Sequence, residues 1–576
     1  MASLRGVEAP AALTVALVLL PWATNDFVAY QIALFLIYGI ATQGVALCWG
    51  RLGFLPLGHA LFFGLGAYLF GGTLKAAQAE ALWWLALPLA LLLPALMAYV
   101  VARLVFARSL RSGPYFSLIT LAMTMLGFLA AQQWSDLTGG FNGMTSIPEL
   151  PLTERYSTLY WPIAACAVAS TGLLTLLFRR PLGVLWGALE QNEDRLQLLG
   201  YATERVKAAA YALSALLAAL AGALFSVHQG IVTPQALGFV LSTEFVIWAA
   251  VGGKASALGA LLGAVVVGFA SAELRDRFAS WEVFVGLLFL AVVRFLPDGM
   301  AGLMPGLRPL GDDGTALPAP AAPRASAPLQ LAFEGVHTAQ SGVKILDGLD
   351  LALQGAGIRS VIGPNGAGKT SSFNVMTGRL PLLRGRIVLD GLPIGGLSAW
   401  RVARCGVGRK LQIPSVFAQL SVRQNLLVAL WAGRMHGADA LRSAPLCWHS
   451  ALLDELLQHF PELQDRRETP AGQLSQGQRQ ALELVMTLLP EPRLLLLDEP
   501  CAGLSPAETQ HMIGVIRAAV RRIDAAALLI EHDISAVAAM GGEVFVLHQG
   551  KRLAQGSLAQ VQADPAVRAV YAGGRK

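Results

Sequence analysis

Up to about residue 303 the chain is a succession of apolar stretches separated by short polar loops, and beyond about residue 328 that pattern stops. A run of that kind is solvated by lipid, and lipid leaves a backbone no partner but itself, so each stretch is expected to be a helix. The composition agrees: 55% of residues are hydrophobic and 14% charged, where soluble domains carry about 25% charged residues. Segments centre near 11–22, 29–49, 56–73, 83–102, 115–133, 157–178, 208–228, 239–251, 257–270 and 283–297, about ten in all. Several fall short of the roughly 20 residues that cross a bilayer unaided. The stretches 239–251 and 257–270 are therefore expected as broken or re-entrant helices. The first stretch follows Arg5 and is succeeded at once by others, which favours an uncleaved membrane helix over a signal peptide.

Basic residues give an orientation. With the N-terminus in the cytoplasm, the loops holding Arg51, then Arg103, Arg108 and Arg111, then Arg179 through Lys207 all fall inside. The opposite loops hold Lys75, Arg155, Arg275 and Arg277, the last two among Glu273, Asp276 and Glu282. That asymmetry obeys the positive-inside rule and delivers the chain after Pro297 to the cytoplasm. The net charge of +6 fits this bias, and without a dense Lys/Arg stripe or aromatic platform no nucleic-acid partner is expected. Cys48, Cys166, Cys405, Cys447 and Cys501 are scattered and odd in number, so no disulfide framework is expected.

At 576 residues the chain is long enough for at least two domains. The boundary is compositional: residues 1–303 form the membrane region, 304–328 a Pro/Ala-rich linker, and 329–576 a region where short β-like runs alternate with helical stretches. Ser-Val-Ile before Gly363 and the four leucines before Asp498 read as buried parallel strands.

Gly363, Pro364, Asn365, Gly366, Ala367, Gly368, Lys369, Thr370 and Ser371 form a P-loop between a strand and a helical stretch. Its glycines let backbone N–H groups curl round phosphates, Lys369 reaches the terminal phosphates, and the Thr370 hydroxyl suits Mg²⁺. Leu494 to Pro500 is an apolar strand ending in two carboxylates. Asp498 is placed to hold Mg²⁺ and Glu499 to polarise an attacking water. Each feature has a bland reading, a Gly-rich turn and a solvated strand end, and their occurrence together argues against both.

From about Leu329 onward the sequence resembles an ABC-type ATPase. The resemblance implies a polytopic α-helical membrane domain followed by an α/β P-loop nucleotide-binding domain. It also implies ATP and Mg²⁺ as cofactors, with Thr370, Gln412 and Asp498 toward the metal. Leu474-Ser-Gln-Gly-Gln478 is similar to the family signature, with Gln476 for the first glycine; Ser475, Gly477 and Gln478 then cap the ATP held by a second domain's P-loop. Gln412 matches the glutamine that senses Mg²⁺ and water and touches the permease, and His532 the switch histidine. The catalytic set is Glu499, His532, Gln412 and Lys369. Two further positions depart from the pattern. Gln340 stands where an aromatic ring usually faces adenine, and Ala502-Gly-Leu-Ser505 lacks the usual Asp.

Leu57 to Tyr68, Ser112 to Ala122, Leu137 to Met144 and Ala250 to Ala260 resemble, in order, the branched-chain amino-acid importer permeases. Taken singly, their glycines read as close helix packing. The stretch Leu182 to Lys207 resembles a coupling loop that docks beside the Q-loop, with Glu190, Asn192, Glu193 and Gly200 as candidate contacts; a solvated amphipathic loop is the alternative. Glu244 is an ionisable residue within an apolar segment, a functional candidate by default. The resemblance implies a multi-pass protein of the bacterial inner membrane, with its ATPase domain cytoplasmic. Its implied partners are a second permease, a second ATPase domain and a periplasmic substrate-binding protein. Two cargo classes stay open: branched-chain or other small amino acids from the permease phrases, and urea or short-chain amides from Gly406 to Phe417 and Val546 to Leu558. An ABC exporter half-transporter would carry about six long helices with cytoplasmic arms, which the many short spans and the coupling-type loop oppose.

Overall fold

The computed structural model describes residues 8–76, 83–106, 113–275, 281–296, 298–303, 315–316, 328–340 and 342–572. Most of the stretch 304–328, and Arg108, Arg111, Ser112, Asp276 and Arg277, lie outside the described residues. The chain divides into two compact units: Met1–Glu190 with Glu204–Gly311, and Gln191–Thr203 with Asp312–Lys576. The segment Gln191–Thr203 interrupts the first unit in sequence yet packs as part of the second.

In the first unit each apolar segment is a helix: Glu8–Ala23, Asp26–Leu52, His59–Ala76, Trp83–Phe106, Gly113–Gln133, Tyr160–Arg179, Thr203–Gln229, Phe239–Gly252, Ala257–Arg275 and Trp281–Phe295. Among the described residues, six helices are long and apolar enough to cross a membrane. One expectation does not hold. The segment at 257–270 is not a short or broken piece, because the helix continues past the apolar run through Ser271 and Glu273 to reach 19 residues. Its predecessor Phe239–Gly252 does stay short at 14 residues, stopped by Gly253 at φ 113°. Glu244 is half-buried on that helix.

Small residues set how closely these helices approach. A Cβ added to Gly222 would stand 1.8 Å from the Phe63 carbonyl oxygen, and one added to Gly66 would stand 2.2 Å from that of Ala219. The helices His59–Ala76 and Thr203–Gln229 therefore pack backbone to backbone, the arrangement that draws apolar helices together in lipid. Near one end Phe116 lies among Phe54, Phe106 and Tyr211, with ring centroids 4.7 to 5.0 Å away.

The second unit has a six-stranded sheet in the order Lys551–Ser557, Glu543–His548, Gly357–Ile362, Ala526–Ile530, Leu494–Asp498 and Val407–Lys410. The first pair is antiparallel and the rest are parallel. The two strands expected from sequence, at 357–362 and 494–498, flank Ala526–Ile530. Leu494 to Leu497 are fully buried, which explains the unbroken leucine run, because a parallel sheet is covered on both faces. A four-stranded antiparallel sheet, ordered Val343–Gln354, Gln330–Gln340, Arg384–Leu389 and Leu392–Pro393, completes the unit. Gln340 ends its strand exposed. All five cysteines are free.

Replacing Gly222 with Ala is expected to force the two glycine-packed helices apart at a cost of about 1–3 kcal/mol. Thermal unfolding in detergent checks this, since an unchanged midpoint would contradict so close a contact.

Candidate nucleotide site

Parallel register brings four strand ends to one edge. Ile530 pairs with Asp498 and with Val361, and Leu497 pairs with Lys410. The residues that follow each strand, Gly363, Glu499, Glu531-His532 and Leu411-Gln412, therefore emerge side by side. Ligands bind in the crevice beyond the carboxyl ends of such strands.

The loop at Gly363 turns directly into the helix Lys369–Met376. Gly363 adopts φ 151°, and a Cβ there would meet the Leu547 carbonyl oxygen at 2.2 Å. Gly368 caps the helix at φ 95°. Pro364 accepts from the Ala367 N–H, Asn365 and Gly366 are exposed, and Ser371 is half-buried on the first turn. Lys369 Nζ donates to the Gly363 and Pro364 carbonyls at 2.7 and 3.1 Å, folding its ammonium over the loop. Burial pushes the Lys369 pKa down, and Glu499 and Asp498 oppose that.

Thr370 Oγ1 donates to Asp498 Oδ1 at 3.3 Å. A hydroxyl and a carboxylate at that separation are the hard oxygen donors Mg²⁺ accepts alongside water and phosphate. Asp498 is 1% exposed, and burial raises its pKa above the usual carboxylate range. Arg409, 4.0 Å away and equally buried, works against that rise, while Glu499 adds to it. The Arg409 guanidinium is itself fixed by Thr377 and by Asn374 Oδ1 at 2.7 Å. Burial lowers the Arg409 pKa to about 10, which leaves it charged at neutral pH.

Glu499 Oε1 receives Gln412 Nε2 at 2.9 Å and lies 2.9 Å from His532 Nε2. Its backbone is held at φ 46°, a left-handed conformation costly for a residue with a side chain. The Glu499 N–H bonds the Ile530 carbonyl at 2.9 Å. The structure thus brings together Lys369, Thr370, Gln412, Asp498, Glu499 and His532, which are spread over some 160 residues of sequence.

Ser475, Gly477 and Gln478 form a separate cluster at the start of the helix Gln476–Leu488. Ser475 and Gln478 cap it reciprocally, with N–H to oxygen distances of 3.0 and 3.2 Å. Gln476 Nε2 lies 3.1 Å from where Gly503 would carry a Cβ, and Gln480 Nε2 donates to the Ala502 carbonyl at 2.7 Å. The unusual residue of the signature, Gln476, and the unusual loop at Ala502–Ser505 are thus neighbours in space. Ser505 caps the helix Pro506–Arg522 with Glu508.

The candidate coupling residues have different fates. Asn192 Nδ2 donates to Ser415 Oγ at 2.8 Å, and the Gly200 carbonyl accepts from Arg404 Nε at 2.9 Å. Glu193 Oε1 accepts from Thr203 Oγ1 at 2.8 Å, within the segment itself. Glu190 belongs to the first unit and packs on Gly53. Sequence reasoning missed the buried Arg195, together with its partner Glu483 and the acid Glu531, whose carboxylate takes the Cys501 N–H at 3.1 Å. None carries a local signal, since their importance comes from burial.

Changing Arg409 to Met leaves the Asp498 carboxylate buried without its counter-ion, a loss of about 3–5 kcal/mol. A lower thermal midpoint is expected. Mg²⁺-dependent nucleotide binding should also weaken more than in wild type as pH falls, because a proton then competes better for Asp498 once the charge that opposes its raised pKa is gone.

A family model described as "Branched-chain amino acid transport system / permease component" matches residues 27–293, and one described as "ABC transporter" matches residues 346–502. The high-affinity branched-chain amino acid transport ATP-binding protein BraF of Pseudomonas aeruginosa is 34% identical over 253 residues, 42% of this chain and 97% of the relative. LivG of Escherichia coli K12, with the same description, is 33% identical over 253 residues, at the same coverage. A solved nucleotide-free ATP-binding cassette from an ABC transporter covers 42% of this chain and 98% of its own at 24% identity and a TM-score of 0.37. The chain belongs to the ABC transporter family, carrying a multi-pass permease component and an ATPase cassette coupled to transport in one polypeptide.

Proposed function

We propose that this chain is half of an importer that uses ATP hydrolysis to bring branched-chain or related small amino acids across the bacterial inner membrane, with its ATPase unit in the cytoplasm. The observation that carries the reading is the agreement of its two halves. The permease region and the cassette match, separately, proteins described by the same cargo.

In this reading the loop from Gly363 to Ser371 and Lys369 hold the phosphates, while Thr370, Asp498 and Gln412 hold Mg²⁺, which when bound neutralises phosphate charge. Glu499 polarises the attacking water. Its two neighbours at 2.9 Å, Gln412 and His532, orient that carboxylate so that it meets water and phosphate in a fixed pose. Ser475, Gly477 and Gln478 stand at a helix start open to solvent and cap the nucleotide of a second cassette. One copy therefore completes neither site. A second ATPase domain, a second permease and a periplasmic substrate-binding protein complete the assembly, and the two permeases receive the substrate between them.

A second reading, import of urea or a short-chain amide, is supported by the phrases at Gly406–Phe417 and Val546–Leu558. The first carries Gln412 and Ser415, and the second spans the paired strands Glu543–His548 and Lys551–Ser557. Uptake of labelled leucine and labelled urea by cells with and without the gene separates the two. Loss of urea uptake alone would overturn the amino-acid reading.

Glu499→Gln should lower ATP turnover at least about a hundredfold, the scale of a lost general base, while nucleotide binding persists. Equal turnover in variant and wild type would show that Glu499 does not polarise the water.

A further inference from the structure

We propose that Arg195 is a positioning residue through which the segment Gln191–Thr203 sets the rate of ATP hydrolysis, by bolting the strand that delivers Gln412 to the helix that starts at Ser475. The proposal rests on the ATPase reading above and names a residue through which that site is regulated.

Arg195 is 1% exposed inside the second unit. One arm of its guanidinium, Nη1, donates to the Arg409 carbonyl at 2.8 Å; the other, Nη2, donates to the Glu483 carbonyl at 3.2 Å and to Thr487 Oγ1 at 3.0 Å. The Arg409 carbonyl belongs to the strand Val407–Lys410, and Glu483 and Thr487 belong to the helix Gln476–Leu488. A single planar fork therefore spans two elements that lead in different directions. One runs within three residues to Gln412, and the other runs back to the signature cluster at Ser475.

Charge reinforces the geometry. Arg195 Nη1 is 3.5 Å from Glu483 Oε1, and Glu483 Oε2 is 3.6 Å from Lys410 Nζ, with Glu483 and Lys410 both fully buried. Glu483 Oε1 also accepts the Leu411 N–H at 3.1 Å, on the residue just before Gln412. Arg409, whose carbonyl Arg195 grips, sends its own guanidinium to Asp498. Without Arg195 the buried groups form two neutral pairs, Lys410 with Glu483 and Arg409 with Asp498. With it, Glu483 is shared between Arg195 and Lys410. Next in sequence, Asp194 pairs with Arg379 at 2.8 Å.

Other bonds anchor the segment independently. Gln191 Oε1 accepts the Gln419 N–H at 2.7 Å, Asn192 meets Ser415, and Tyr201 donates its hydroxyl to the Val428 carbonyl at 2.7 Å. Loss of Arg195 therefore removes the bolt and leaves the segment in place.

The test uses the full chain purified with its companions from native membranes, assayed with Mg-ATP. Arg195→Met should lower kcat about tenfold with KM for ATP nearly unchanged, because the P-loop is untouched and the geometry around Glu499 is not. The fold is expected to persist in this variant with a lower thermal midpoint, since both remaining charge pairs are balanced. Arg195→Lys restores the charge beside Glu483 without the planar fork, so it should regain thermal stability and stay slow. A wild-type kcat in Arg195→Met overturns the proposal, as does recovery of rate together with stability in Arg195→Lys. A rise in KM with kcat unchanged overturns it too, because the effect would then lie in nucleotide binding. A wild-type preparation that does not hydrolyse Mg-ATP contradicts the ATPase reading instead.

Discussion

Asp498 ends a strand hydrogen-bonded on both sides, at 1% exposure, and a carboxylate in that position is tolerable as an ion only with a cation beside it. Arg409 is that cation, and it comes from the neighbouring strand. The pairing of the strands Leu494–Asp498 and Val407–Lys410 is thus fixed twice, by the ladder and by the charge pair. The positions of Gln412 and Glu499 follow, because each is attached to a strand end that this pairing places, while Thr370 is brought to Asp498 through the strand Gly357–Ile362 and its pairing with Ala526–Ile530. A one-residue slip in register would send the Arg409 side chain to the other face of the sheet and leave the acid uncompensated.

Two of the departures from the family pattern, Gln476 and the loop Ala502–Ser505, are neighbours in space. Gln476 fills space over Gly503 that a glycine at 476 would leave open, and Ser505 closes the loop by capping the next helix. A long amide at one position and a small residue at the other are complementary. In the first unit the arrangement is governed instead by what is missing from the side chains: glycines at 66 and 222 let two backbones touch. Packing does there what charge does in the cassette, because lipid offers no hydrophobic drive between helices.

Much of the site is legible in the sequence, because its chemistry is carried by contiguous residues. The loop from Gly363 to Thr370 and the pair Asp498-Glu499 announce phosphate and metal binding through residue type and spacing alone. The ten apolar segments are equally plain, since lipid selects helices from hydrophobicity without regard to neighbours. The segment at 257–270 looks too short in sequence because hydropathy fades before the helix does, and a helix continues wherever its hydrogen bonds do.

Arg195 is invisible for the opposite reason. In sequence it stands in a polar stretch with Glu190, Glu193 and Asp194, indistinguishable from solvated charge, and the residues that draw attention there are its neighbours. By itself the sequence determined the apolar helices, the P-loop and the acidic strand end, because those depend on interactions a few residues apart. The tertiary structure alone decided which charges are buried and whom they face. Desolvation depends on what packs around a group from distant parts of the chain, and no local spacing records that.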